Sequence, residues 1–325
     1  FQTFLLRNLL ITTCRINLSS KFLSILLKKN MDQHYKNCYL CQSSSLITRL
    51  VKIRDHWESS HISAPDVLEC SECNLVFLSS FDHISSKHYR NSGMHNEKTF
   101  SYDSWLAESM IDDNRRFTFL KDKIKDKKLL DFGCGAGGFL SLAKEISKTV
   151  AGVELEKAFQ SKFKERSLNV FSNEYEAIET NDTWDIISAF HVLEHIKDPI
   201  RTLKNLALVL DKNGELIIEV PNINDGLLTL YENKAFSEFY YWSNHLFMFN
   251  VKTLEDLVKK AGFKVNWIKY IQRYPLSNHL YWLSHGKPGG HKIFDFIDSK
   301  KLQNEYEKKL AYIDATDTIM LGASK

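Results

Sequence analysis

The sequence of 325 residues contains no apolar run long enough to span a membrane. It also lacks an excess of charge of one sign, because 43 Lys and Arg residues nearly balance 40 Asp and Glu residues. A nearly neutral chain gives no electrostatic reason to expect nucleic acid as the main partner. We therefore expect a globular protein whose partner is neither a membrane nor a nucleic acid. No inference about the oligomeric state follows.

Acidic residues are missing from the first thirty positions, which carry five basic residues and are rich in Leu, Ile, Ser and Thr. This composition resembles a transit peptide, and translated upstream sequence or a fragment boundary is the alternative interpretation. Met31 begins a polar stretch that would make a natural start. We interpret residues 1–30 as a basic leader and leave it out of the predicted fold. Because no strong secretory pattern is present, we expect a cytoplasmic location.

Four of the six cysteines form two Cys-x-x-Cys pairs, which 28 residues separate. Four thiolates complete a tetrahedral zinc shell, and a closed shell of this kind is structural. Residues 31–95 contain few large apolar side chains, so a metal would supply stability that their core cannot. We predict a zinc-ribbon-like module over 31–95, with four free thiols or two redox pairs as alternatives. The predicted zinc ligands are Cys38, Cys41, Cys70 and Cys73.

From residue 96 to residue 325, strand-like and helix-like patterns alternate. Repeated β-α-β units predict an α/β domain with a Rossmann-like, seven-stranded, mostly parallel sheet and helices on both faces. Ligands of such sheets bind at the carboxyl ends of the strands. The Gly- and Pro-containing stretch at 281–292 is interpreted as a loop, which either covers a site or connects two elements.

The segment LLDFGCGAGGFL places a glycine-rich turn at the end of the first predicted strand of this domain. Gly133, Gly135 and Gly138 fit the dinucleotide pattern G-x-G-x-x-G. Asp131 followed by Gly133, Gly135 and Gly137 fits a second pattern, acid-x-G-x-G-x-G, which is typical of S-adenosylmethionine sites. Glu154 at the end of the next strand suits the ribose hydroxyls of either cofactor. Asp131 favours S-adenosylmethionine, because it can help to bind an ammonium group but would repel a pyrophosphate.

At AFHVLEHIKDP the sequence resembles the class I S-adenosylmethionine-dependent methyltransferases. The resemblance rests on LLDFGCGAGGFL, the acid in VAGVELE, IEVPN and NHLFMFNVKTLEDLVKKAGF, and extends roughly over residues 100–325. The order of two cysteine pairs followed by such a domain resembles one branch of the family. This branch includes sugar C-methyltransferases that act on nucleotide-linked keto sugars. The resemblance implies methyl transfer to carbon or oxygen of a small molecule, either a nucleotide-linked sugar or a surface-polysaccharide precursor.

The resemblance also implies the residues that bind the cofactor. Leu155 would pack on the adenine, and Asn173 would contact the adenine edge, where an acid is commoner in the family. The implied set comprises Asp131, Gly133, Gly135, Gly137, Glu154, Leu155, Asn173, Ala189 and Phe190.

Three histidines are candidates for the general base, namely His191, His195 and His245. A loop-capping role is the alternative for His195. HVLEH lacks the acid placement of the zinc-protease motif H-E-x-x-H, so the sequence does not predict a catalytic metal. Related sugar C-methyltransferases carry a Glu-His pair near His245, whereas Asn244 precedes it here, which puts a proton relay in doubt.

Four residues are predicted to bind the substrate: Tyr89, Arg90, Tyr241 and Asn244. Flat aromatic rings stack on sugar faces, and a guanidinium binds a phosphate or carboxylate with two hydrogen bonds. A core role for the aromatic residues and a surface role for Arg90 are the alternatives. Two other functions are also considered, a nicotinamide-dependent oxidoreductase on the same fold and a zinc-containing factor that modifies RNA or protein.

Overall fold

The computed structural model describes residues 35–54, 64–84, 88–89 and 101–325. The interpreted leader at 1–30 and the predicted substrate residue Arg90 lie outside these ranges. Within them, no helix is both long enough and apolar enough to cross a membrane.

Strands of the described residues form two sheets. In chain order they are β1 (Leu46–Arg49), β2 (Val67–Cys70), β3 (Val76–Leu78), β4 (Lys128–Phe132), β5 (Thr149–Val153), β6 (Val170–Phe171), β7 (Trp184–Phe190), β8 (Leu210–Pro221), β9 (Phe247–Met248), β10 (Lys264–Ile271) and β11 (Thr318–Ser324).

Helices lie between these strands and begin at polar caps where the sequence provides them. The side chain of Ser101 accepts a hydrogen bond from the backbone N–H of Ser104 at the start of the first helix. The α-helices are α1 (Tyr102–Ile124), α2 (Gly138–Ala143), α3 (Gln160–Glu165), α4 (Glu174–Glu179), α5 (Pro199–Val209), α6 (Gly226–Thr229), α7 (Lys234–Tyr240), α8 (Val251–Lys260), α9 (Leu276–His285), α10 (Gly290–Ile293) and α11 (Lys300–Tyr312).

The interpretation of residues 281–292 as a loop is wrong at both ends. Helix α9 extends to His285, because Tyr281 and Trp282 are buried and continue its apolar face. Gly286, with φ of 63°, ends this helix in the left-handed conformation, and α10 begins four residues later. Only residues 286–289 form the connection.

The larger sheet has seven strands in the order β10-β11-β8-β7-β4-β5-β6. Strands β4 to β8 pair in parallel, whereas β11 is antiparallel to both of its neighbours. This topology confirms the predicted seven-stranded, mostly parallel α/β fold. The chain order reverses beside β4, so the carboxyl ends of β4, β5 and β7 meet at the position where such sheets bind ligands.

The smaller sheet is antiparallel, with the order β1-β2-β3-β9, and it joins the cysteine-containing region to the rest of the chain. Its first three strands precede residue 95, but β9 comes from the segment that follows β8. Phe77 of β3 and Phe247 of β9 are both fully buried and pair in register. Their apolar contacts belong to the same hydrophobic core as Leu130 and Ile218 of the larger sheet.

We expect replacement of Phe247 to destabilise the fold strongly, because its ring lies 4.9 Å from the ring of Tyr39 and 5.2 Å from that of Phe81. Phe247→Ala should lower the free energy of unfolding by about 3–5 kcal/mol in urea denaturation. Phe296→Ala is the matched control, since this ring is 79% exposed and its loss should change stability by less than about 0.5 kcal/mol. Equal effects of the two changes would contradict the packing described.

Candidate active site

The glycine-rich turn lies between β4 and α2 and is held against the end of β5. Gly133, Gly135 and Gly137 all have positive φ angles, from 53° to 74°, which side-chain-bearing residues rarely adopt. The backbone N–H groups of Gly133 and Cys134 donate to the carbonyl oxygen of Val153 at 2.8 and 3.0 Å. A Cβ atom at Gly133 would overlap the side chain of Val192. The close approach therefore requires glycine at this position.

Glu154 follows β5 and reaches across to the turn. Its Oε2 accepts a hydrogen bond from the backbone N–H of Gly135 at 2.9 Å, and its Oε1 accepts one from that of Glu156 at 2.8 Å. Burial raises the pKa of this carboxyl to about 7. The sequence pattern placed Glu154 near the glycines, and the structure brings these residues together.

Asp131 is buried within β4, directly below the turn. Its Oδ1 accepts a hydrogen bond from the hydroxyl of Ser188 on the neighbouring strand β7 at 2.7 Å. Burial raises the pKa of Asp131 to about 7. Two carboxyl groups with raised pKa values thus flank the glycine-rich turn.

Helix α1 covers the turn from outside the sheet. The hydroxyl of Tyr102 donates to the carbonyl oxygen of Ala136 at 2.7 Å, and the ring of Trp105 packs over Gly135. Gly138 at the start of α2 lies against Asp113, and a Cβ atom there would overlap its carboxylate. Gly138 therefore allows the two helices to pack closely.

Strand β7 ends beside this turn with Ala189 and Phe190, which are both buried. His191 follows with φ of 54°, and its backbone N–H donates to the carbonyl oxygen of Glu219 on β8 at 2.7 Å. This left-handed turn directs the next residue, Val192, onto Gly133. The end of β7 is therefore in direct contact with the glycine-rich turn.

All three candidate histidines gather around the buried carboxylate of Glu194. Its Oε1 lies 3.4 Å from Nδ1 of His191 and 3.9 Å from Nε2 of His195. The rings of His195 and His245 have centroids 4.9 Å apart, and the ring of Trp242 lies 5.3 Å from His245. We name His191, Glu194, His195 and His245 the histidine cluster. His195 and His245, which lie 50 positions apart in the chain, thus belong to one group.

Hydrogen bonds and burial fix the protonation of this cluster. The Nδ1 atom of His195 lies 2.8 Å from the carbonyl oxygen of Asn244. Burial lowers the pKa of His195 and lowers that of His245 to about 3, so both rings are neutral at pH 7. Burial opposes the ionisation of Glu194, but its contact with His191 holds the pKa of this carboxyl below the usual value.

Glu219 is a site residue that the sequence argument missed. It is fully buried in β8, where it accepts hydrogen bonds of 2.8 to 2.9 Å from Arg115 and Arg116 of α1. Its Oε1 also lies 3.2 Å from Nε2 of His191. Burial opposes its ionisation, but the two arginines hold the pKa well below the usual range. Its position inside the apolar run LIIEV was the signal that could have revealed it.

The predicted substrate residues in the described ranges differ in their positions. The Tyr89 hydroxyl donates to the carbonyl oxygen of His195 at 3.3 Å. The Asn244 side chain lies 2.9 Å from Nε2 of His88, and the backbone carbonyl oxygen of Asn244 contacts His195, so Tyr89 and Asn244 both border the histidine cluster. The hydroxyl of Tyr241, by contrast, accepts a hydrogen bond from Arg49 on β1 at 2.8 Å. The Tyr241 hydroxyl is therefore bonded to the smaller sheet.

The two residues assigned to the adenine have different surroundings. Asn173 caps α4, since its Oδ1 accepts hydrogen bonds from the backbone N–H groups of Tyr175 and Glu176 at 3.0 and 3.1 Å. Leu155 is half-buried directly after Glu154.

The four predicted zinc ligands converge at one end of the smaller sheet. The Sγ atoms of Cys38 and Cys73 are 3.5 Å apart, and those of Cys41 and Cys70 are 3.4 Å apart. All four sulfur atoms lie within 4.8 Å of one another, which matches the edges of a tetrahedral shell with metal–sulfur bonds of about 2.3 Å.

A protein family described as a methyltransferase domain matches residues 102–266, just over half of the chain. The chain belongs to this family. It is a class I S-adenosylmethionine-dependent methyltransferase, in agreement with the sheet topology and the glycine-rich turn. The oxidoreductase alternative is thereby set aside.

Several curated relatives are named tRNA U34 carboxymethyltransferase. One from Campylobacter jejuni is 26% identical over 178 residues, 51% of this chain and 60% of the relative. One from Glaesserella parasuis is 28% identical over 154 residues, 43% of this chain and 46% of the relative. The methyltransferase thus spans roughly half the length of these relatives. An uncharacterized protein from Methanocaldococcus jannaschii is 28% identical over 165 residues, 50% of this chain and 77% of that protein.

Solved structures similar to the methyltransferase include two whose names also describe methyltransferases. A SAM dependent methyltransferase from Archaeoglobus fulgidus is 19% identical with a TM-score of 0.46, covering 68% of this chain and 99% of that one. Phosphoethanolamine N-methyltransferase 2 from Haemonchus contortus, in complex with S-adenosyl-L-methionine, is 17% identical with a TM-score of 0.46, covering 77% and 61%.

The contact between Gly133 and Val192 makes a testable prediction about cofactor affinity. In Gly133→Ala the new methyl group would displace Val192 and the turn, so we expect the Kd for S-adenosylhomocysteine to rise at least about tenfold in calorimetry. Gly262→Ala is the matched control, because Gly262 also has a positive φ, 97°, but has open space around it. This control should keep its affinity. Equal losses in both variants would contradict a specific role for the turn.

Proposed function

We propose that the protein transfers a methyl group from S-adenosylmethionine to carbon or oxygen of a sugar-linked small molecule, either a nucleotide-linked sugar or a surface-polysaccharide precursor. The observation that carries this proposal is the histidine cluster beside the glycine-rich turn, with Val192 connecting the two. A proton acceptor next to a methyl donor is the arrangement that such a transfer needs. A cytoplasmic location stays a prediction.

The cofactor residues proposed for this reaction surround the turn. S-adenosylmethionine supplies an electrophilic methyl group bound to a sulfonium. Glu154 would hold the ribose hydroxyls, and Asp131 would support the loop that binds the amino-acid part. The full proposed set remains Asp131, Gly133, Gly135, Gly137, Glu154, Leu155, Asn173, Ala189 and Phe190.

Features around the histidine cluster favour a sugar-linked acceptor with a phosphate. The rings of Tyr89 and Trp242 lie 6.2 and 6.0 Å from His195, and such rings stack on sugar faces. The guanidinium of Arg54 lies 5.0 Å from the Trp242 ring, and no acid in the described ranges pairs with it. A half-buried cation without an acidic partner suits a phosphate group. Tyr89, Arg90, Tyr241 and Asn244 stay the proposed substrate residues, to which Arg54 is added.

A second candidate acceptor is a tRNA, which the names of the curated relatives favour. The near-neutral charge of the chain counts against it, because nucleic-acid binding depends on neutralising phosphates with basic residues.

Acceptor tests separate these two functions. We expect release of S-adenosylhomocysteine with nucleotide-linked sugars, and no release with tRNA under the same conditions. In this assay, alanine at His191, His195 or His245 should identify the proton acceptor by a loss of kcat of about 10²–10⁴-fold. Turnover on tRNA alone would contradict the sugar proposal. Full activity of all three variants would contradict a histidine base.

We also propose that residues 31–95 form a structural zinc module ahead of a methyltransferase domain at 96–325. The four converging cysteines support a closed thiolate shell, which has no open position for catalysis. Strand β9 gives this module a partner from the larger domain, so the metal would stabilise the contact between the two.

Metal content tests the zinc module. Cys41 is exposed, so Cys41→Ser removes one ligand without leaving a packing defect. We expect this variant to lose one zinc ion per chain in elemental analysis and to unfold at a lower temperature. Cys134→Ser is the control, because Cys134 lies in the glycine-rich turn and outside the four-cysteine group. An unchanged zinc content in Cys41→Ser would exclude the module.

A further inference from the structure

Glu194 has an environment that its neighbours in the described ranges do not satisfy. The side chain is 1% exposed, yet neither of its carboxylate oxygens takes part in a hydrogen bond within the described part of the chain. Burying an ionised carboxylate is costly unless a cation or several donors compensate for the lost water. The Nδ1 atom of His191 lies 3.4 Å from Oε1 but forms no hydrogen bond with it, so the carboxylate still lacks a close positive partner in the described ranges.

The tautomer of His195 shows that this histidine does not donate a proton to Glu194. The carbonyl oxygen of Asn244 can only accept, so Nδ1 of His195, 2.8 Å away, carries the proton. The Nε2 atom then presents its lone pair on the side of Glu194, with 3.9 Å between Nε2 and Oε1. Nε2 of His195 and Oε1 of Glu194 are thus two acceptors that face each other, and a cation between them would satisfy both. A histidine that donates one ring N–H to a backbone carbonyl while its other nitrogen binds a metal is a recurrent arrangement.

His245 supplies a third ligand to the same gap. One ligand atom from each of Glu194, His195 and His245 lies within 4.8 Å of the others. Metal–nitrogen and metal–oxygen bonds of about 2.1 Å allow ligand separations up to about 4.2 Å, so the three ligand atoms would draw together slightly around a cation. The backbone N–H of Leu246 donates to the carbonyl oxygen of Glu194 at 2.7 Å, which holds the two segments together.

We propose that Glu194, His195 and His245 bind one divalent transition-metal cation. Two imidazoles and one carboxylate suit such a cation, and three protein ligands leave positions open for another molecule. The spacing within HVLEH could not predict this site, because its third ligand lies 50 residues beyond His195.

The role of the cation rests on the proposed methyl transfer, whereas the site itself does not. A hydroxyl of the acceptor would occupy an open position, where the cation would lower its pKa and His191, the histidine of the cluster that is not a ligand, would take the proton. The oxygen then attacks the methyl carbon: the O–C bond forms, the C–S bond breaks, and its electron pair stays on sulfur. The products are the methylated acceptor and neutral S-adenosylhomocysteine.

Manganese binding tests the site on the full chain, without any acceptor. Mn²⁺ prefers oxygen and nitrogen ligands, so it discriminates against the four-cysteine group. After chelator treatment and dialysis, we expect the wild-type chain to bind one Mn²⁺ in electron paramagnetic resonance titrations. His245→Asn and Glu194→Gln should each lower this affinity at least about tenfold. His285→Ala, which changes a histidine outside the site, should retain it.

The outcomes separate this proposal from the proposed function. Absence of Mn²⁺ binding by the wild-type chain overturns the metal site, whatever the variants do. Unchanged affinity in both site variants, with folding checked by thermal unfolding and S-adenosylhomocysteine binding, also overturns it. Mn²⁺ binding that both variants lose, together with no turnover on any sugar, supports the site and contradicts only the proposed acceptor.

Discussion

The buried carboxylate of Glu219 is the interaction on which the arrangement of the site depends. It lies in the apolar interior of the sheet, where an unpaired charge would be strongly destabilising. Arg115 and Arg116 compensate for this cost with four hydrogen bonds, and they lie on α1. Because α1 is anchored to β8 in this way, its first turns extend over the glycine-rich turn, where Tyr102 makes contact.

The same carboxylate also orders the end of β7. Both the backbone and the side chain of Glu219 contact His191, whose left-handed conformation turns the chain sharply. Val192 consequently covers Gly133, and Glu194 enters the interior. A segment of four residues therefore connects the glycine-rich turn to the histidine cluster, which explains why these two parts of the candidate site lie next to each other.

The smaller sheet contributes to the site through its last strand. The segment that carries His245 continues directly into β9, which pairs with β3 of the cysteine-containing region. His195 is held by the carbonyl oxygen of Asn244 in this segment. The position of the histidine cluster therefore depends on packing between the two sheets, and particularly on the aromatic contacts of Phe247.

The sequence by itself determined the α/β fold and the meeting of the glycines with Glu154. Both depend on short-range periodicity and on neighbouring parallel strands, whose ends necessarily coincide. Only the tertiary structure decided that Asn173 caps a helix, that Glu219 pairs with α1, and that His245 joins Glu194. These contacts depend on packing and on backbone hydrogen bonds between distant segments, such as that from Leu246 to Glu194, which local patterns do not encode.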